Sequence, residues 1–219
     1  MPITESEVKD LVSRVLAQCG GLSAPGASGP GGSFPVEASA RHVHLTKEAV
    51  EALFGPGARL TKKRELSQPG EFLSDQRVRL VTPKGEIANV AVLGPERSAV
   101  QVELSLTDAR QLGIKAPVNL SGDLSGAGDV YLVGEKGMLA APGSVIAARA
   151  HIHMTPGDAS RLGVSDGEVV RVQVETARPV TFDHIVVRVK GSFALAMHID
   201  FDEANACGLG ADAVGRIVR

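Results

Sequence analysis

Apolar residues follow a helical period at the start of the chain. Within residues 1–19, in the stretch ITESEVKDLVSRVLAQC, they recur every three or four positions, and Thr4 with Glu7 has the form of a capping box. Residues 20–35, GGLSAPGASGPGGSFP, consist almost entirely of Gly, Pro, Ser and Ala and lack the apolar side chains needed to form a core. The pattern predicts a short amphipathic helix on a flexible linker.

From residue 36 onwards the apolar positions alternate with the period of a β-strand. RVRLVTPKGEIANVAVLGP, residues 77–95, alternates around a Pro-Lys-Gly turn, and EVVRVQVETARPVTFDHIVVRVKGSFALAMHID, residues 168–200, predicts at least three more strands. Short strands joined by Gly-containing turns favour closed barrels or a sandwich over a doubly wound sheet. The pattern therefore predicts a mainly β protein.

A strand followed by a short helix is repeated four times. The four strand–helix units are HVHLTKEAVEALFG at 42–55, ELSLTDARQLG at 103–113, HIHMTPGDASRLG at 151–163 and HIDFDEANACGLG at 198–210. Each unit has a residue suited to the helix N-cap and a glycine suited to the left-handed position after the helix. These are Thr46, Thr107, Thr155 and Asp202, and Gly55, Gly113, Gly163 and Gly210.

The first residue of every unit can bind a metal, and two units begin with His-x-His. In a strand, residues i and i+2 point to the same face, roughly 6.5–7 Å apart, so both imidazoles can reach one cation. Imidazoles with a carboxylate favour zinc or another borderline transition metal over calcium or magnesium. Three protein ligands leave an open position, which is typical of catalytic zinc, so the repeat predicts a dinuclear centre. The two predicted ligand sets are His42, His44 and Glu103, and His151, His153 and His198.

Composition narrows the class of function. The 219 residues carry a formal net charge of −2 and are only 3% aromatic, which argues against a nucleic-acid partner. The sequence has no stretch of 18 apolar residues, which argues against a membrane span, and Cys19 with Cys207 cannot build a disulfide framework. We expect a cytosolic, reducing setting, with Cys207 as a small buried apolar residue and His184, outside the four units, in a structural role.

Several long motifs resemble one family. ARHVHLT, LTKKRELSQPGEFLSDQRV, LGPERSAVQVELSLTDARQLG and HIHMTP are similar to the phosphate propanoyltransferases, the phosphotransacylases of propanediol utilisation, and the resemblance covers residues 36–217. It implies two antiparallel β-barrels capped by short helices, with the active site between them. Residues 36–40 and 149–219 would form barrel 1, and residues 41–148 would form barrel 2. A lid-like insert at about residues 56–75 would lie over the site.

The resemblance also implies an activity and a location. The expected reaction converts propanoyl-CoA, or another short acyl-CoA, and phosphate into acyl phosphate and CoA, reversibly, with two zinc ions per chain. Residues 1–19 resemble an encapsulation peptide that would contact shell or lumen proteins of a bacterial microcompartment; the alternative is a helix that docks on its own domain. No membrane partner is expected. The protein is expected to form a homo-oligomer, with a dimer favoured.

Four cationic residues are assigned to the substrates. Arg97 lies just upstream of Glu103, and its planar guanidinium suits bidentate binding of the attacking phosphate. Lys62, Lys63 and Arg64 could contact the phosphates of CoA, or they could be an exposed, solvated charge run. Two other classes remain open: a zinc-dependent hydrolase of esters or thioesters, and a non-catalytic metal-binding protein associated with the shell.

Overall fold

The described residues form two closed six-stranded β-barrels, which confirms the predicted fold class. A computed structural model describes residues 32–218. The predicted N-terminal helix, at residues 1–19, and residues 20–31 of the predicted linker lie outside this range. Phe34 and Pro35 belong to the first strand rather than to the linker, because the Phe34 side chain is fully buried in a barrel core.

Barrel 1 combines the first strand with the C-terminal third of the chain. Its strands, in their order around the barrel, are β1 (Phe34–Ala38), β13 (Ala196–Ile199), β10 (His151–Met154), β12 (Val180–Val189), β11 (Val169–Glu175) and β14 (Val214–Val218). Two short helices belong to it, α3 (Pro156–Leu162) and α4 (Phe201–Cys207). Pairing of β1 with β14 closes the barrel.

Barrel 2 is built from the middle of the chain. Its strands, in order, are β4 (Phe72–Thr82), β5 (Gly85–Gly94), β2 (His42–His44), β6 (Gln101–Leu104), β9 (Met138–Ala148) and β8 (Gly128–Val133). Pairing of β8 with β4 closes this barrel. Two short strands extend it, β3 (Lys62–Glu65) beside β4 and β7 (Val118–Asn119) beside β9, and its helices are α1 (Lys47–Phe54) and α2 (Leu106–Gln111).

The two barrels repeat the same local topology, although their strands are of mixed rather than wholly antiparallel direction. In barrel 2, β2 runs parallel to β5 and antiparallel to β6, and β6 runs parallel to β9. In barrel 1, β10 runs parallel to β12 and antiparallel to β13, and β13 runs parallel to β1. Parallel strands need a long crossover connection, and a helix lies in the connection from β2 to β5, from β6 to β9 and from β10 to β12. The fourfold repeat in the sequence is thus a twofold repeat of a paired unit.

Each barrel has its own apolar core. Phe34, Ile152, Met154, Met197 and Ile199 are among the fully or almost fully buried side chains of barrel 1, and all lie on strands that also carry site residues or pair with them. The core of barrel 2 includes four buried leucines, Leu45, Leu53, Leu80 and Leu132. Because Val43 and Ile152 are buried between the histidines of each His-x-His, core packing fixes the face on which those histidines lie.

The helices begin where a side chain caps them, and two predicted caps were wrong by two residues. Thr46 and Thr155 cap α1 and α3 as predicted, each accepting a hydrogen bond from the backbone N–H three residues later. The caps of α2 and α4 are Ser105 and Asp200, in place of the predicted Thr107 and Asp202. Their helices start earlier because strands β6 and β13 end sooner after the first residue of the unit.

The glycine that ends α4 also differs from the prediction. Gly163 has φ of 67° after α3, as predicted, whereas Gly208, with φ of 60°, ends α4 in place of the predicted Gly210. Both positions need the left-handed region that favours glycine, and both backbone N–H groups bond back to the last turn of their helix.

A segment inserted into barrel 2 lies between α1 and β4. It contains β3, which pairs antiparallel with the start of β4, and a turn at residues 67–70. We call residues 56–71 the insert, because residues 72–75 of the predicted insert belong to β4. Ser67 and Gln68, at the turn, make hydrogen bonds to Glu37, Ala194 and His198 of barrel 1, so the insert spans the junction between the barrels.

Candidate metal centre between the barrels

The first predicted ligand set forms a compact cluster in barrel 2. His42 on β2 lies directly opposite Glu103 on the antiparallel strand β6, and His44 is two residues along β2. His42 Nε2 lies 3.5 Å from Glu103 Oε2, and His44 Nε2 lies 3.8 Å from Glu103 Oε1. Ligand atoms of all three buried side chains lie within 4.8 Å of one another, which is close enough to share one metal ion.

The second predicted set occupies the matching position in barrel 1. His151 on β10 pairs with His198 on β13 in the same register in which His42 pairs with Glu103. The ring of His151 is centred 4.6 Å from that of His153 and 5.4 Å from that of His198, and the rings of His153 and His198 are 5.0 Å apart. The structure therefore brings these three imidazoles together as well.

One small cavity between the barrels receives residues from both clusters. Its wall includes His42 and Glu103 from barrel 2 and His151 and His198 from barrel 1. Its free volume is about 10 Å³, enough for little more than one ion or water. The two clusters thus converge on the interface between the barrels.

Backbone carbonyls hold the first histidine of each His-x-His in the same way. His42 Nδ1 donates to Ala40 O at 2.7 Å, and His151 Nδ1 donates to Arg149 O at 2.9 Å, in each case two residues earlier. This bond places the proton on Nδ1 and leaves a lone pair on Nε2, as in many metal-binding histidines.

The second histidine of each pair has an unused ring nitrogen. Within residues 32–218, Nδ1 of His44 and Nδ1 of His153 are buried and have no hydrogen-bond partner. Buried polar nitrogens are normally paired, so the unpaired Nδ1 of His153, in a cluster of three imidazoles, points to a missing partner, whereas the backbone of Leu93 acts on the ring of His44. A borderline cation such as zinc fits this donor set of imidazoles and one carboxylate.

Electrostatics in barrel 2 couple Glu103 to its histidines. Burial alone would raise the pKa of Glu103, but the charge and hydrogen bond of His42 outweigh it and hold that pKa well below its usual value. Burial likewise opposes a charged His42, but Glu103 outweighs it and raises the pKa of His42. Burial, with the nearby positive charges of His42 and Arg97, lowers the pKa of His44 to about 2. Glu103 is therefore a carboxylate and His44 a neutral imidazole at neutral pH.

The imidazoles of barrel 1 are neutral as well. Burial, followed by the mutual repulsion of the three rings, lowers the pKa of His153 to about 2. Burial and the charge of His151 lower the pKa of His198 to about 3, and burial lowers the pKa of His151 itself. Neutral imidazole is the form that binds a metal, so His44 and the three imidazoles of barrel 1 are in the required state, whereas His42, with its raised pKa, would release a proton when a metal binds.

Arg97 lies beside the barrel 2 cluster. Its backbone N–H donates to Leu45 O at 2.8 Å, which fixes the loop after β5 against the end of β2. Its guanidinium donates to Glu71 Oε1 at 2.9 Å and to Ser121 Oγ at 3.3 Å, and about a third of the side chain is exposed. The charge of Arg97 partly opposes the raised pKa of His42 and contributes to the lowered pKa of His44, so this guanidinium lies close enough to act on the cluster electrostatically.

The cationic run of the insert lies outside the cavity wall. Lys62, Lys63 and Arg64 form strand β3, and all three side chains are exposed. Lys62 pairs with Glu65 at 2.5 Å, and the Lys63 ammonium is 3.9 Å from the Asp75 carboxylate. The structure therefore brings these residues to the surface of the insert and leaves both of their predicted interpretations open.

The sequence did not predict the roles of two glutamines that lie close to the clusters. Gln101 Nε2 donates to Glu103 Oε1 at 2.6 Å and to Ser121 Oγ at 2.9 Å, and so holds the carboxylate in place. Gln68, in the insert, donates to His198 Nε2 at 3.3 Å. Gln101 could have been found, because it lies two residues before Glu103 on the same strand face. Gln68 could not, because no local pattern ties it to a histidine 130 residues later.

Comparison with known proteins gives the family. A sequence model described as phosphate propanoyltransferase matches residues 35–210. The phosphate propanoyltransferase of Leptotrichia buccalis is 55% identical over 84% of this chain and 88% of that protein. Those of Enterococcus faecalis and Thermotoga maritima are 51% and 49% identical, over 85% and 80% of this chain and 89% and 83% of theirs.

The fold, the site and these matches define an acyltransferase with a two-barrel architecture. More specifically, the chain belongs to the phosphate propanoyltransferase family, as the motifs in its sequence predicted. Within residues 32–218, none of the helices has the length and apolar character needed to cross a membrane.

Proposed function

We propose that the chain transfers a propanoyl or other short acyl group reversibly between CoA and phosphate, with two zinc ions between its barrels. The observation that carries this proposal is the pair of equivalent clusters that converge on one cavity. Family membership supplies the reaction class. His42, His44 and Glu103 would hold one zinc ion, and His151, His153 and His198 the other.

The bound zinc would act as a Lewis acid, polarising the thioester carbonyl and stabilising the negative charge that develops on its oxygen. The protein itself has to keep the proposed ligand atoms deprotonated and oriented towards the metal position. Glu103 is held by Gln101, and His42 and His151 by backbone carbonyls, so these side chains have little freedom to turn away.

Phosphate would be bound by Arg97. Its guanidinium acts electrostatically on His42 and His44, and its hydrogen bonds to Glu71 and Ser121 use two donors that a phosphate could take over. A phosphate oxygen would attack the thioester carbon, forming a C–O bond while the C–S bond breaks and CoA leaves as thiolate. The proton released by phosphate would pass to the thiolate through solvent.

Direct attack is favoured over an acyl-enzyme. Cys207, the one cysteine within residues 32–218, is buried in the core of barrel 1, and burial raises the pKa of its thiol. A buried thiol with a raised pKa is a poor nucleophile. The site therefore supports a single displacement.

The proposal also covers CoA binding, cellular location and oligomeric state. The exposed cations Lys62, Lys63 and Arg64 of β3 would contact the phosphates of CoA. Residues 1–19 would direct the enzyme to the lumen of a bacterial microcompartment by contacting shell or lumen proteins, and the enzyme would be a homodimer.

Thiol release from propanoyl-CoA, followed with and without phosphate, tests the reaction. Release that depends on phosphate and yields propanoyl phosphate supports the proposal. Release without phosphate would identify a hydrolase, and no release at all would favour a non-catalytic metal-binding protein. Elemental analysis should find two zinc ions per chain, and His44→Ala should lose zinc and activity together. Full activity in zinc-free protein would refute the metal's role.

A further inference from the structure

One arginine on the barrel 1 side of the site has no counter-ion. Arg188 lies on β12, directly beside His153 on the parallel strand β10. Paired residues of neighbouring strands point to the same face of a sheet, so the Arg188 side chain shares the face of the His153 imidazole. Among residues 32–218, no hydrogen bond and no ion pair joins its guanidinium to another group.

The equivalent place in barrel 2 is apolar. His44 pairs with Leu93 in the same register in which His153 pairs with Arg188. The repeated frame of the fold therefore accepts an apolar side chain beside the second histidine. The charge at Arg188 is a departure from the repeat that the fold itself does not require.

The charge of Arg188 acts on every imidazole of the barrel 1 cluster. Burial is the largest cause of the lowered pKa of His151, His153 and His198, and the charge of Arg188 adds to it in all three. A positive charge at this distance also repels a metal cation, so it opposes metal binding. A half-buried guanidinium without a counter-ion is therefore unfavourable here unless an anion binds beside it.

An aromatic ring orients the guanidinium. The Phe193 ring is centred 4.2 Å from the His153 ring, and its centre lies 6.0 Å from Arg188 Cζ and 5.9 Å from Lys190 Nζ. A cation–π contact orients a guanidinium without using its N–H donors. The planar fork of Arg188 thus retains the donors that two oxygens of one phosphate group would need.

From this geometry we propose that Arg188 is a second phosphate-binding residue of the site, which binds a phosphate group of a substrate beside the barrel 1 cluster. Free phosphate and the phosphates of CoA offer the same chemistry. The position beside a proposed zinc ligand favours free phosphate, because the whole pantetheine arm separates the phosphates of CoA from the thioester. With Arg97 beside the barrel 2 cluster, each barrel contributes one arginine. This inference rests on the proposed function, which supplies the substrates.

Two substitutions separate the charge from the packing of the side chain. Arg188→Met keeps the length of the side chain and its contact with Phe193 but removes the charge and the donors. Arg188→Lys keeps the charge without the planar fork. Arg171→Met is the matched control, because Arg171 lies on β11 of the same barrel, is exposed, and is paired with Asp183 at 2.6 Å.

The first measurement is thiol release from propanoyl-CoA at varied phosphate and varied CoA ester. Arg188→Met should raise KM for phosphate by roughly 10- to 100-fold, the effect of losing hydrogen bonds between charged groups, and Arg188→Lys should raise it less. KM for propanoyl-CoA should stay near wild type. Arg171→Met should change neither value.

The second measurement needs no turnover. Inorganic phosphate is titrated with the zinc-loaded enzyme, without a CoA ester, and binding is followed by phosphorus NMR. Arg188→Met should bind phosphate more weakly than wild type, and Arg171→Met should bind it equally well.

Zinc content and stability separate direct binding from a structural role. Removal of a charge that repels the metal should leave the zinc content unchanged and should not lower the midpoint of denaturant unfolding. Arg188 could instead act only by supporting Phe193 and His153. In that case Arg188→Met would lose zinc or stability, and this result would overturn the proposal.

The remaining outcomes distinguish this inference from the function on which it rests. Unchanged KM values and unchanged phosphate binding in Arg188→Met would overturn the inference and leave the proposed function standing. A raised KM for propanoyl-CoA alone would support the phosphate-binding role and assign it to the phosphates of CoA. Thiol release that does not depend on phosphate in the wild type would overturn the proposed function, and with it this inference.

Discussion

Replacement of Arg97 by alanine tests the assignment of phosphate binding. In the structure the guanidinium makes one bond to a carboxylate and one to a hydroxyl, so it has the two donors that a phosphate dianion could take over. Hydrogen bonds to a charged group contribute about 1.5–3 kcal/mol, which corresponds to roughly 10- to 150-fold in rate. Because a third of the side chain is exposed, we expect a loss in the lower half of that range.

The assay is thiol release from propanoyl-CoA at varied phosphate and varied CoA ester. Arg97→Ala should raise KM for phosphate or lower kcat, while KM for the CoA ester and the zinc content stay near wild type. Arg97→Lys restores the charge without the planar fork and should recover only part of the activity. Arg79→Ala is the control, since Arg79 forms a similar ion pair with Glu86 on the outside of barrel 2.

Glu71 adds an internal check on the same assignment. Its carboxylate bonds to the group that would bind phosphate, so Glu71→Gln should release the guanidinium and lower KM for phosphate. Unchanged phosphate kinetics in Arg97→Ala, or loss of zinc from that variant, would refute the role given to Arg97.

Three further predictions concern stability and location. Burial raises the pKa of Glu203 to about 7, so the folded protein loses stability as pH rises from the ordinary pKa of a glutamate towards 7. At about pH 8, Glu203→Gln should therefore be more stable than the wild type by about 1–2 kcal/mol in denaturant unfolding, and at about pH 4.5 the two should be equally stable. Asp202 Oδ2 accepts from Thr107 N at 2.9 Å and so caps α2 from the other barrel; Asp202→Ala should lose about 1 kcal/mol in chemical unfolding, and Asp202→Asn less. Deletion of residues 1–19 should leave activity in solution intact but abolish co-purification with shells, whereas a lower melting temperature would support a docked helix.

Much of the candidate site could be predicted because its proposed ligands lie in a repeated local frame. The alternation of β-strands puts His42 and His44, and likewise His151 and His153, on one face, and core packing of Val43 and Ile152 fixes which face that is. The unit that begins at Glu103 predicted a carboxylate at the matching position. Such patterns depend on neighbours in sequence, and the sequence displays them directly.

The helix limits were harder to predict, for a physical reason. Thr107 and Asp202 are good capping residues, but Ser105 and Asp200 are equally good and come first along the chain. Local preference could not choose between them. The lengths of β6 and β13, set by pairing within the barrels, decided the choice.

The sequence by itself determined the class of fold, the repeated strand–helix unit and the six candidate ligands, because each is encoded by short-range periodicity or by long family motifs. Only the tertiary structure decided which groups contact those ligands. Gln68 meets His198 across 130 positions of sequence, and Asp202 caps a helix 95 positions away. Contacts of this kind arise where the two barrels pack against each other, and no local pattern of residues records which surfaces will meet.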